Sequence, residues 1–101
     1  MNRIAIGKGG SWFDLDAASR WDEACEFDGR NMISRATGSQ WDHELLFRTR
    51  QGTWIINQYS ACQGSIETYE KVSEEEAARW FTGQGLEAPE SLSSAVDSLE
   101  V

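Results

Sequence analysis

Residues 41–72, WDHELLFRTRQGTWIINQYSACQGSIETYEKV, decide the fold. His43, Leu45, Phe47 and Thr49 alternate with Glu44, Leu46, Arg48 and Arg50, the period of two that belongs to a β-strand. Thr53 to Tyr59 reads as the return strand, rich in β-branched and aromatic residues. Gln51-Gly52 between the two runs is a hairpin turn. Gln63-Gly64-Ser65 marks a second turn, and Ile66 to Val72 a third strand. The stretch predicts an antiparallel meander.

On the C-terminal side, Ser73-x-x-Glu76 has the spacing of a capping box, in which Ser73 accepts from the Glu76 backbone N–H and the Glu76 carboxylate reaches back. This predicts a helix over 74–82, with Glu74, Glu75 and Glu76 at its positive end. Ala77, Ala78, Trp80 and Phe81 form its packing side, and Gly83 or Gly85 is its stop. Pro89 suits the first turn of a last helix, striped by Leu92, Val96 and Leu99.

On the N-terminal side, Arg3–Ile6 and Trp12–Asp16 read as strands around Gly7-Lys8-Gly9-Gly10. That loop is a hairpin turn and not a phosphate cradle, because Lys8 is followed by glycine and the next element reads as strand. Asp16 is a suitable N-cap for a helix over 17–27. Ala17, Ala18, Trp21, Ala24 and Cys25 recur at helical spacing, which leaves Asp22, Glu23 and Glu26 facing water. Asp28-Gly29 ends the helix, and the conformation of Asn31 to Thr37 stays open. The five tryptophans (12, 21, 41, 54, 80) are assigned to the core. The fold class is α+β: an antiparallel β-meander sheet with two or three α-helices on one face, in a single domain over residues 1–101.

Composition narrows function more by exclusion than by assignment. No apolar run approaches the roughly 18 residues of a membrane span, and the start lacks the apolar stretch of a signal peptide. The chain is expected to be cytoplasmic, with no membrane partner. Cys25 and Cys62 match no C-x-x-C spacing, so free, partly buried thiols are expected. One His and two Cys without local ligand pairs give no metal site. His43 lies between Asp42 and Glu44, which point to the opposite face of a strand and cannot orient it. No nucleophile motif accompanies it. The expectation is no enzyme, no catalytic residue and no cofactor.

Nine Lys and Arg against seventeen Asp and Glu give a net charge of −8. Direct nucleic-acid binding, which needs a cationic surface, is not expected. The acids concentrate in two segments. Residues 14–28 hold six against Arg20, and residues 64–101 hold nine against Lys71 and Arg79. Asp14, Asp22, Glu23, Glu26, Asp28, Glu74 and Glu75 are therefore the candidate partner-binding residues, forming an acidic surface for a protein with a basic nucleic-acid-binding site. The competing description of the same acids is a set of solvated faces that keep the domain soluble. The mildly basic middle, with Arg30, Arg35, Arg48 and Arg50 beside Trp41 or Trp54, is the nucleic-acid alternative.

The string Asp28-Gly29-Arg30-Asn31-Met32-Ile33-Ser34-Arg35-Ala36-Thr37-Gly38-Ser39-Gln40-Trp41 resembles one found in a family of small bacterial proteins. So do Arg48-x-x-x-Gly52-x-Trp54, Ser60-x-x-Gln63-Gly64-Ser65 and Glu76-Ala77-Ala78-x-Trp80. The resemblance covers roughly residues 20–90 and carries no activity and no functional residues with it. In size, acidity and lack of catalytic signatures the chain is also similar to small phage and mobile-element inhibitors such as anti-CRISPR proteins, without a shared motif. The leading expectation is a non-enzymatic acidic binding protein, in its most concrete form an anti-CRISPR-like inhibitor that occupies a basic nucleic-acid-binding site. The alternative is a small housekeeping or regulatory interaction domain that uses the polar loops Asn31–Gln40, with Asn31, Arg35 and Gln40 as site residues, and Gln63–Ser65.

Overall fold

The meander forms as its alternation predicts. In the computed structural model, which describes residues 1–101, β6 (Asp42–Arg48), β7 (Trp54–Ser60) and β8 (Thr68–Val72) pair antiparallel in succession. The register Asp42↔Ser60 to Arg48↔Trp54 places Leu46 and Trp54 on one face and Phe47 and Ile55 on the other. Both faces are covered. Helix α1 (Glu74–Gly83), together with a 3-10 turn (Glu90–Leu92) and the short α2 (Ser93–Asp97), packs Ala77, Trp80, Phe81 and Leu92 against Leu46 and Trp54. The hairpin of β1 (Arg3–Ile6) and β2 (Ser11–Asp14) packs Ile6 and Phe13 against Phe47 and Ile55.

Both ends of α1 are closed by local chemistry. Ser73 Oγ accepts from the Glu76 N–H at 3.1 Å, and Glu76 Oε1 accepts from the Ser73 N–H at 3.3 Å, the reciprocal pair that the spacing predicts. At the other end the Leu86 N–H donates to Phe81 O and the Gly85 N–H to Thr82 O. This Schellman closure needs a left-handed residue, and Gly85 supplies it at φ 74°. Gly85, not Gly83, is the stop. Pro89 leads into the 3-10 turn, where Leu92 is buried.

The segment 15–28 overturns the helix expected over 17–27. Only a 3-10 turn forms (Leu15–Ala17), followed by strands β3 (Ser19–Asp22) and β4 (Cys25–Phe27). The turn is capped by Asp14, which ends β2, and not by Asp16. The reason lies in β6, whose second edge would otherwise leave backbone groups unpaired beside buried Leu46 and Phe47. Strand β3 satisfies them, with Arg20 opposite Phe47 and Trp21 opposite Leu46. The spacing of three from Ala18 to Trp21 resembles a helix face, but on a strand it sends the two residues to opposite faces. Accordingly Trp21 joins the core under α1, 5.3 Å from the Trp54 ring and edge-on to Phe81, and Ala18 packs into the core under the β1–β2 hairpin. The undetermined segment after Asn31 supplies β5 (Met32–Ser34), which pairs with β4 in a separate two-stranded ribbon.

Two further expectations are corrected. Trp12 and Trp41 are 42% and 51% exposed and lie outside the core. Cys25 and Cys62 are free, as expected, but exposed. No helix is long and apolar enough to cross a membrane.

Phe81 is the anchor of α1, so Phe81→Ala is expected to cost about 3–5 kcal/mol in denaturant unfolding. Ser73→Ala should cost about 0.5–2 kcal/mol through loss of the cap. A change of only a few tenths in both variants would contradict this account of how the helix is held.

Candidate functional site

Immediately after β3 the chain turns away from the sheet, and its first side chain, Glu23, folds back into it. Ala24 fixes the turn through both backbone groups: its N–H donates to Gln84 Oε1 at 2.8 Å, and its carbonyl accepts from the Arg35 N–H. Gln84 is buried at the C-terminus of α1 and donates its amide to Trp80 O. Glu23 is thereby held with its side chain only 7% exposed. This corrects the expectation that Glu23 faces water.

Four donors converge on that carboxylate. Ser34 Oγ donates at 2.8 Å and the Glu44 backbone N–H at 2.7 Å, both to Oε1. His43 Nδ1 lies 2.6 Å from Oε2, with the Cys25 thiol at 3.5 Å. Burial raises the pKa of Glu23, but the hydrogen bonds from Glu44, His43, Ser34 and Cys25 outweigh it and hold the acid below its ordinary value. Loss of solvent and the Glu23 carboxylate push the Cys25 thiol up, so it is not an activated nucleophile. The orienting partner of His43 is thus neither sequence neighbour but a residue twenty positions away.

Ser34 extends the network into the following loop. Its hydroxyl oxygen accepts from the Ala36 and Thr37 N–H groups, and its backbone pairs with Gly38 and Ser39. Thr37 Oγ1 donates to Asp42 O at 2.7 Å, and Ser39 Oγ accepts from the Trp41 and Asp42 N–H groups. The loop 34–42 is therefore a hydrogen-bonded platform that fixes the start of β6.

Beside this platform lies an open cleft of about 500 Å³, walled by Thr37 and Asp42–Glu44 on one side and by Gln58–Ser60, Ser65, Ile66 and Thr68 on the other. Glu44 is braced by Trp80 Nε1 at 3.2 Å and Gln58 Nε2 at 2.8 Å. The His43 ring lies 5.4 Å from that of Tyr59. Burial, then the charge of Glu23, raises the Tyr59 phenol. In the cleft wall Tyr59 and Ile66 are 38% and 85% exposed, and Trp41, the residue before Asp42, is 51% exposed. No group of three or more His, Cys, Asp or Glu is placed to hold a metal ion.

The seven carboxylates assigned from sequence do not form one surface as expected, and the helix that would have carried Asp22, Glu23 and Glu26 is absent. Asp14 accepts from the Asn2 and Asp16 N–H groups, Asp22 pairs with Arg20 at 2.8 Å, and Glu23 is buried. Glu26 is exposed on β4, and Asp28 accepts from the Arg30 and Asn31 N–H groups to close the β4–β5 turn. Those backbone bonds lower the pKa of Asp28. Glu74 and Glu75 lie in the first turn of α1, with Glu75 paired to Arg79. Of the polar-loop residues, Arg35 is exposed, while Asn31 and Gln40 are half-buried. Arg30 lies in the β4–β5 turn, Arg35 follows Ser34 beside the start of β6, and Arg48 and Arg50 lie where β6 finishes. The four do not form one basic face.

No family model matches the chain, and no curated protein or solved structure matches it significantly.

Glu23 links the site to stability. Its folded pKa lies below the unfolded value near 4.5, so its contribution is present above that pH and fades as pH falls through the folded value. Glu23→Gln is expected to cost about 1.5–3 kcal/mol at neutral pH, the scale of hydrogen bonds to a charged group. The gap to wild type should narrow as the solution is acidified below pH 4.5. Urea unfolding at neutral and acid pH checks both statements, and a gap that is constant with pH would contradict them.

Proposed function

We propose that the chain is a binding protein that receives a basic segment of a partner protein in the cleft between residues 37–44 and 58–68. The observation that carries this reading is the charge of the wall. Asp42 and Glu44 line the cleft, and no Lys or Arg does. The hydrogen-bonded platform pre-organises the wall, which limits the ordering cost of binding. Trp41, Tyr59 and Ile66 offer apolar contact beside the carboxylates, and an aromatic ring next to an acid suits an Arg side chain.

The net charge of −8 supports the same partner class at longer range, since it accelerates encounter with a cationic surface. Exposed Glu26 and Glu74, and Asp22 and Glu75 in exposed ion pairs, contribute to that field. In its most specific form the partner surface is a nucleic-acid-binding site and the chain acts as its inhibitor, comparable in character with anti-CRISPR proteins. A reducing cytoplasm, where exposed Cys25 and Cys62 stay thiols, is the setting this reading implies.

An arginine-rich peptide is expected to shift the backbone amides of residues 41–44 and 58–60 in isotope-labelled protein, and a glutamine-substituted control should leave them unmoved. Asp42→Asn should weaken the arginine peptide by about tenfold and flatten its salt dependence. Trp41→Ala should weaken it comparably and leave the salt dependence unchanged. Equal response to both peptides, or shifts confined to the helices, would refute the cleft as the contact site.

A further inference from the structure

At the opposite end of the sheet from the cleft lies a second cavity, of about 360 Å³, within the ~300–1,000 Å³ range of small-molecule sites. It is walled by the β1–β2 hairpin through Trp12, by the β6–β7 loop through Thr49, Arg50 and Thr53, and by β8 through Lys71. We propose that this cavity binds a small organic phosphate, with the phosphate held by Arg50 and Lys71 and an apolar ring set against Trp12.

Two cations stand in this wall outside any contact ion pair, with Arg50 close enough to Asp14 to favour its charged form. Neither Arg50 nor Lys71 takes part in any of the ion pairs of the chain, which join the N-terminus to Asp16, Arg20 to Asp22, His43 to Glu23 and Arg79 to Glu75. In a chain with seventeen acids and nine bases, a lining of two cations against the one carboxylate of Asp14 is a local reversal of charge. A buried donor adds to them. Thr49 is 8% exposed, and its Oγ1 accepts from the Gln51 and Thr53 N–H groups, so its own hydroxyl proton has no acceptor within the chain. A phosphate oxygen supplies one.

The loop that presents these groups is rigid before any ligand arrives. The Thr49 N–H donates to Thr53 O at 2.8 Å and the Gly52 N–H to Thr49 O at 2.9 Å. Gly52 sits at φ 85°, a conformation that a side chain would strain. Trp12 is half-exposed, with the Arg3 guanidinium 4.4 Å from its ring centre. Arg3 thus braces the ring and adds a third positive charge nearby. Asp14 also lines the cavity, and its charge, held by the Asn2 and Asp16 N–H groups and by Arg50, opposes an anion and offsets one of the two cations. The ligand class follows from donor count. Two cations and three hydroxyls (Ser11, Thr49, Thr53) exceed what the two oxygens of a carboxylate accept, and they suit the three terminal oxygens of a phosphate monoester.

Titration of isotope-labelled protein with adenosine monophosphate, adenosine and inorganic phosphate tests this. The monophosphate should move the amides of residues 49–53 and the Trp12 indole N–H, and should bind at least about tenfold more tightly than either fragment. Arg50→Gln and Lys71→Gln, both on the surface, should each weaken it by about tenfold while the rest of the spectrum stays in place. Adenosine binding as well as the monophosphate, inorganic phosphate binding as well as the monophosphate, or shifts that survive both substitutions would each overturn the proposal. The signals of residues 41–44 should not respond, which keeps this test separate from that of the cleft.

Discussion

The buried carboxylate of Glu23 is the constraint on which the architecture at one end of the molecule depends. An ionised group removed from water is costly unless hydrogen bonds replace its hydration. Here the replacements come from three segments: Cys25 at the start of β4, Ser34 at the end of β5, and His43 with the Glu44 backbone in β6. The first two are paired in the β4–β5 ribbon, and no backbone ladder joins that ribbon to the four-stranded sheet that holds the third. The carboxylate is therefore the joint between ribbon and sheet. Its geometry also sets where Asp42 and Trp41 stand, because both are tied to the loop that Ser34 anchors.

The rest of the fold follows from covering a sheet on two sides. Strands β6 and β7 bury both faces, one under α1 and one under the β1–β2 hairpin, so alternate residues are apolar on each side. The ends of the sheet remain uncovered by either layer. Each is rimmed by a short loop held by side-chain oxygens, Ser34, Thr37 and Ser39 at one end and Thr49 at the other. In both loops a hydroxyl replaces the backbone partner that a strand would have provided, and this keeps the walls in place without a larger core.

Legibility in the sequence tracked how local each determinant is. The meander, the capping box and the Gly85 region were readable because alternation, Ser73-x-x-Glu76 and a glycine stop act within a few residues. The 17–27 segment was not, because a spacing of three or four fits one face of a helix or two faces of a strand, and the empty edge of β6 decides between them. The site suffered in turn. With a helix assumed, Glu23 was grouped with Asp22 and Glu26 as surface charge, and His43 was tested only against its neighbours. The one signal available was the density of Ser, Thr and Gly over 34–39, a composition that closes turns through side-chain oxygens. It is compatible with a closed loop but does not name the acid beneath it.

Charge placement then gives the two ends of the sheet different physics. The cleft presents Asp42 and Glu44, and the opposite cavity presents Arg50 and Lys71 against the single carboxylate of Asp14, within a molecule of net charge −8. A cationic partner approaching the cleft is attracted both by the local carboxylates and by the whole molecule, so its affinity falls as salt screens the field. An anion approaching the cavity is repelled at long range and attracted only at contact. Salt removes that repulsion over a Debye length of about 8 Å at physiological ionic strength, while the short-range hydrogen bonds to Arg50 and Lys71 are screened less. The two ends therefore respond unequally to ionic strength, steeply at the cleft and weakly at the cavity. That difference arises from net charge acting on opposite local charges and needs no conformational coupling between the two ends.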